Sequence, residues 1–431
     1  MLCTQFKLTN LAAAALAGIW LAMALPVSAA QVAVDYKLTN LSALAGMNSS
    51  ASGMNATGQV TGEDSAGHAY IYSNGSLADL GTLGGTISDG TAINASGQVT
   101  GVASTTGNAG SHAFLYSNGH MSDLGTFGGT LSAGLAINAN GQVTGYADFS
   151  TGTPEAFLYS NDQMTGLSLG GTYSYGYAIN DSGQVTGEST TRNNAADHAF
   201  LFHSGQVTDL GTFGGTMSGG AAINASGQVT GSTSTSGNAL QPAFLYSNGQ
   251  TTNLGTLGGT ISNGAAINVS GQVAGLAYTS GNTAYHAFIY NNGQMTDLGT
   301  LGGTNSDAYA INDSGQIVGW ADISGSSNSP SSPGGGTDAF LYSNGQMLDL
   351  NSLIAPGSGL TLTDALGIND IGDIYGSAVD ALGNQYAFEL TPLAVPEPTG
   401  GCLLAIAALG LLRRGGGIRR ASARHASVVA C

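Results

Sequence analysis

Four histidines, His68, His112, His198 and His286, return in one register along the chain, each followed by Ala and an aromatic residue. Histidine is the commonest metal ligand and a ready general base, so a recurring His is first a candidate for metal or acid–base chemistry. Elsewhere that register holds Glu155, Pro242, Asp338 and Tyr386. Equivalent positions in separate repeats lie far apart, so the four read as structural residues at strand starts rather than one metal site. Glu155, Asp364 and Asp373 are carboxylates that break the repeat. A glycan hydrolase or lyase needs two such groups about 5–10 Å apart, and nothing in the sequence makes these three neighbours. Asp313 and Asp370 fall in turns, without the Asp-rich, Gly-broken spacing of a calcium loop. Calcium at an acidic surface is the one metal to consider; no other cofactor and no catalytic residue is expected. Trp320 and Tyr146 share the position just after Gly-Gln-x-x-Gly. An aromatic ring there is a candidate ligand contact, able to stack on a sugar, or it packs on the neighbouring repeat. Asn-x-Ser strings at 94–96, 180–182, 224–226, 268–270 and 312–314 fit glycosylation acceptors, yet they recur with the hairpin and read as turns.

These positions ride on a repeat of about 44 residues, the spacing from Asn94 to Asn138 and from Asn180 to Asn224. Four short segments cycle, AxAIN, GQVTG, HAFLY and QMTDLG, each rich in β-formers and each read as a strand. HAFLY and QMTDLG are joined by Asn-Gly at 74–75, 118–119, 248–249, 292–293 and 344–345, the signal for a type I′ hairpin. AxAIN and GQVTG are joined by a loop holding Gly58, Gly97, Gly141, Gly183, Gly227, Gly271, Gly315 or Gly372, as a left-handed turn position requires. LGTLGGT shows no strand pattern and reads as the crossover. The unit is therefore a four-stranded antiparallel meander. The chain starts mid-unit, with Tyr36–Leu41 in place of QMTDLG, and ends mid-unit, with Tyr386–Leu390 in place of HAFLY. The fold expected is an all-β propeller of eight four-stranded blades, closed by pairing of the N- and C-terminal strands. AxAIN would lie innermost and QMTDLG outermost. The alternative is an open β-solenoid, which would need polar end caps. Three stretches depart from the repeat: a shortened crossover at 166–171, a Ser/Gly/Pro-rich insertion between Trp320 and Asp338, and a replaced crossover at 350–370.

Charge narrows the partners. From Asp35 to Glu397 lie all 25 acidic residues and only two basic ones, Lys37 and Arg192, a net charge of −23. Such a surface repels nucleic acid and other polyanions. The three cysteines, Cys3, Cys402 and Cys431, lie outside the repeats, which excludes a disulfide framework there.

Both ends read as addresses. Residues 1–30 carry Lys7, an apolar run from Leu11 to Leu25 and small residues up to Ala29 and Ala30, the pattern of a cleaved export signal. Residues 31–394 hold the repeats. With HAFLYSNG, DLGTLGGT and INxSGQVTG in this order, they resemble the HAF family of extracellular repeats, which implies export and repetition but no assigned reaction or ligand. Residues 395–431 contain Pro396-Glu397-Pro398, the apolar run 400–412 and Arg413-Arg414. This resembles the bacterial PEP-CTERM sorting signal, which implies an exosortase as partner, a transient membrane anchor and release to the cell surface or medium. The tail departs from that pattern by running on to Cys431 with Arg419, Arg420 and Arg424. The function expected is a non-catalytic surface or matrix protein that binds or organises exopolysaccharide. The rivals are a glycan-active hydrolase or lyase on a propeller scaffold and a protein–protein adhesion module.

Overall fold

A computed structural model describes residues 36–325 and 336–393. The chain divides into two compact units, Met1–Pro392 and Leu393–Cys431, and the strands below all lie in the first. Its elements follow from turn chemistry. At Asn74-Gly75 both residues have positive φ, 51° and 82°, the backbone of a two-residue hairpin whose twist matches its strands. Asn161-Asp162 and Ser204-Gly205 do the same work without the Asn-Gly signature. Each hairpin joins the third and fourth strands of a meander, as Ser111–Ser117 and His120–Gly125 show.

The result is an all-β array of four-stranded antiparallel meanders. Their first strands begin at Gly53, Gly84, Gly128, Gly170, Gly214, Gly258, Gly302 and Leu360, and we number the meanders in that order. The fourth strand of the eighth meander comes from the other end of the repeat region. Tyr36–Asn40 pairs antiparallel with Gln385–Pro392, Leu38 opposite Leu390. The second and third meanders, and the fourth and fifth, are further linked by single parallel bridges, Leu131 to Ser111 and Met217 to Asp197.

One correction concerns the crossover. The Gly-Gly-Thr that shows no strand pattern opens the first strand, as in the ten-residue Gly84–Ile93. Gly84 pairs with Thr105, and a register shift before Ser88 absorbs the irregular turn. Backbone pairing, not side-chain pattern, makes this stretch a strand. The first meander departs the other way: its first strand is only Gly53–Met54, preceded by a short helix Ser42–Ala45 that the sequence did not announce.

The core lies between sheets rather than within them. Each second strand buries an aliphatic residue and each third strand an aromatic, such as Val143 and Phe157, both fully buried. They pack on Ala113 and Leu124 of the preceding meander. Burying one such ring contributes about 2–3 kcal/mol. The same scheme joins the eighth meander to the first, where Ala387 packs with Leu41, Val60 and Tyr70. A recurring serine carries its hydroxyl into these seams fully paired: Ser132 Oγ accepts from Ala113 N at 2.8 Å and donates to Gly125 O at 2.6 Å.

Candidate functional site

The asparagine that ends each first strand is the most heavily used polar residue. Asn94 is buried; its Oδ1 accepts from the backbone of Ser96 and Gln98, and its Nδ2 donates to Gln98 Oε1 at 2.7 Å. The same Nδ2 donates to the carbonyl of Asn138 in the next meander at 2.9 Å. The link repeats from Asn138 to Asn180, Asn224, Asn268, Asn312 and Asn369, and from Asn369 Nδ2 back to the carbonyl of Asn55 at 3.3 Å. Asn55 in turn donates to Asn94. The Asn-x-Ser strings are therefore exposed turns whose asparagines are buried with their amides committed.

The recurring histidines lie at strand starts. His68, His112, His198 and His286 each place Nδ1 2.8–3.0 Å from Asp79, Asp123, Asp209 or Asp297 on the adjoining fourth strand. Where Glu155 replaces the histidine, its strand neighbour has become Gly166, and where Pro242 does, Asn253. Asp338 keeps an acidic neighbour, Asp349, and burial, then that neighbour, pushes its carboxyl up to about 6. Among the described residues no three His, Cys, Asp or Glu side chains gather as a metal ion would need.

Of the three repeat-breaking carboxylates, Asp364 lies opposite Ser377 on the adjoining strand, its carboxyl raised by burial. Asp373 replaces the glutamine of the Asn–Gln pair and accepts from Asn369 Nδ2 at 3.1 Å. Beside it lies Glu389, which burial and then the Asp373 charge push up to about 7. Both carboxyls are buried against Gly58, where a Cβ would sit 2.7 Å from one and 3.6 Å from the other. The structure thus pairs Asp373 with Glu389, a residue the sequence reading passed over, and not with Asp364 or Glu155.

Trp320 is 2% exposed. Its ring meets Tyr285 edge-on at 6.1 Å and 85°, opposite Asp307 on the first strand, whose carboxyl burial pushes up to about 7. Tyr146 instead opens a line of tyrosines. It meets Tyr175 edge-on at 5.3 Å, and Tyr175 has Tyr173 at 5.9 Å and Tyr177 stacked parallel at 6.2 Å. Tyr173, Tyr175 and Tyr177 alternate along Gly170–Ile179 and so share one face. Tyr177, 37% exposed, donates to Glu188 Oε1 at 2.7 Å. Burial and then a hydrogen bond to Asp197 raise the Tyr173 hydroxyl to about 12. The sequence signal was present: the fourth meander reads Thr-Tyr-Ser-Tyr-Gly-Tyr where the second reads Thr-Ile-Ser-Asp-Gly-Thr. The face thus carries rigid rings with polar tips, flanked by carboxylates that accept from hydroxyls.

Ala29, Ala30, Pro396, Glu397, Pro398, Arg413 and Arg414, the proposed processing and sorting positions, lie outside the described residues. Among the described residues no helix is long and apolar enough to cross a membrane. No curated protein matches the chain. Among solved structures it is similar to the β-propeller domain of the Trilobed protease from Pyrococcus furiosus, at 9% identity over 70% of this chain and 97% of that one, TM-score 0.44. It is also similar to dipeptidyl peptidase 4 from Porphyromonas gingivalis, at 9% identity over 79% and 58%, TM-score 0.47. A third likeness is to TolB from Acinetobacter baumannii, at 11% identity over 70% and 64%, TM-score 0.35. The chain spans less than two thirds of the length of the last two. Residues 259–389, less than half of the chain, are similar to a family described as a protein of unknown function, DUF3466.

Proposed function

We propose that this is an exported, non-catalytic binding protein for neutral glycans, built as one closed eight-bladed propeller and sorted to the surface or matrix through its C-terminal segment. The observation that carries the binding reading is the tyrosine line of the fourth meander with Glu188 and Asp197 beside it. Sugars offer apolar C–H faces to aromatic rings and hydroxyl edges to carboxylates. The excess of negative charge between Asp35 and Glu397 favours neutral over anionic polymers. Closure is supported by the asparagine circuit, in which the last link runs from Asn369 to Asn55, and by the pairing of Tyr36–Asn40 with Gln385–Pro392. In that ring the first strands line the axis and the fourth strands form the rim. Export through residues 1–30 and exosortase-dependent sorting rest on the two terminal signals.

The test is a glycan array probed with the full chain, followed by titration of the best glycan. Binding to neutral glycans is expected, with Tyr177→Ala weakening it about tenfold through lost ring contact. Retention only on heparin or DNA at physiological salt, or equal affinity of wild type and Tyr177→Ala, would remove the reading.

A further inference from the structure

The fifth meander breaks the repeat at positions that meet in one seam. In the pairing of first and second strands, one cross-strand pair recurs as Asp89 and Val102, Ala133 and Tyr146, Tyr175 and Glu188, Asn263 and Leu276, Asp307 and Trp320. In the fifth meander the pair is Gly219 and Ser232, the smallest of the set. The next residue, Ala103, Ala147, Ala277 or Ala321 in other meanders, is here Thr233. Opposite Thr233, Pro242 stands in the histidine register, its carbonyl accepting from Thr233 N at 3.0 Å, so no imidazole covers the seam.

The missing bulk leaves a cavity of ≈ 230 Å³ between the fourth and fifth meanders, lined by Glu188, Asp197, Met217, Ser232, Thr233 and Gln241 among others. Thr233 is 3% exposed, and its Oγ1 finds no hydrogen-bond partner among the described residues. An unpaired buried hydroxyl is destabilising, and its enclosure sets the Thr233 hydroxyl behind the cavity wall rather than in the cavity. Glu188 Oε1 is committed to Tyr177, and its Oε2 faces Gly219, 3.3 Å from where a Cβ would lie. Met217, 41% exposed, supplies an apolar wall. No Lys or Arg lines the cavity among the described residues.

We propose that this cavity binds a single neutral hexopyranose unit, the specificity pocket at the end of the tyrosine line. The proposal rests on the glycan reading above and goes beyond it by naming the subsite. The cavity is smaller than the ~300–1,000 Å³ that encloses a drug-sized ligand, which limits it to one ring. The Glu188 and Asp197 carboxylates accept from ring hydroxyls, Met217 covers a C–H face, and the absence of cationic groups rejects uronic, sulfated or phosphorylated sugars.

The experiment titrates the full chain with methyl hexopyranosides differing in the configuration of one hydroxyl, by calorimetry, in EDTA and in calcium. At least one glycoside should bind in EDTA. Gly219→Leu should weaken it more than fiftyfold while the protein still melts cooperatively. Thr233→Val should raise the melting temperature, because it removes an unpaired buried hydroxyl, and should leave glycoside binding unchanged. Binding of no methyl glycoside, equal binding by Gly219→Leu, or binding that appears only with calcium overturns the pocket. If polymeric glycans then still bind wild type and Gly219→Leu alike, the glycan reading stands without the pocket; if none binds, both fall.

Discussion

Asn224 shows what one side chain does at every turn of this repeat. It accepts from Ser226 and Gln228 and donates to Gln228 and to the carbonyl of Asn268. Asn224→Ala leaves the buried Asn268 carbonyl and the half-buried Gln228 groups unpaired, and a loss of about 3 kcal/mol is expected, read from denaturant melts. Glu389 answers pH instead. Its carboxyl, raised from 4.5 to about 7 by burial and by Asp373 against the pull of Lys37 and Tyr72, favours the neutral form in the folded state. Its contribution is therefore present below the unfolded value and lost as pH rises through about 7. The buried Asp307, also near 7, acts in the same sense. Stability should fall between pH 5 and pH 8, and Glu389→Gln should flatten part of that fall; a Glu389→Gln profile parallel to wild type would remove Glu389 from the account.

At the scale of the strand pair, glycines separate two roles. On the second strand of the fifth meander, Gly231 lies against the first strand, where an added Cβ would sit 1.9 Å from the Gly219 carbonyl. Gly119, in a hairpin at φ 80°, has open space around it. Gly231→Ala should cost about 3 kcal/mol through forced separation of the strands, and Gly119→Ala only about 1 kcal/mol of left-handed strain. Thermal melts of the two variants check the ranking. The hairpin Asn161-Asp162 shows why sequence patterns stop short: positive φ at both positions is reached without glycine because Asn and Asp tolerate it.

For the whole molecule, Tyr36–Asn40 is the fastener of the proposed ring, through its pairing with Gln385–Pro392. Deleting residues 31–42 removes few large apolar side chains, so burial alone predicts a loss of only a few kcal/mol. A closed ring predicts more, because the Gln385–Pro392 strand is left with a bare edge that templates association. Aggregation or a marked drop in melting temperature is expected, beyond that of deleting 326–334 in the insertion; equal, monomeric behaviour of both deletions would leave the open stack standing. Replacing Pro396-Glu397-Pro398 by alanines tests the other end. Protein held in the membrane fraction is expected, and unchanged release would sink the sorting proposal.

By itself the sequence determined the repeat, the four strands per unit, the hairpin turns and the pairing of the terminal strands, because backbone φ preferences and alternation are local and recur in every copy. It also singled out Trp320 and Tyr146 by register. What register could not say is that Trp320 is enclosed by Tyr285 while Tyr146 begins an accessible line, since burial depends on the neighbouring meander. Nor could it pair Asp373 with Glu389 or set Gly219, Ser232 and Thr233 against Glu188. Those residues are brought together across seams between sheets, and only tertiary packing decides which deviations from a repeat share one space.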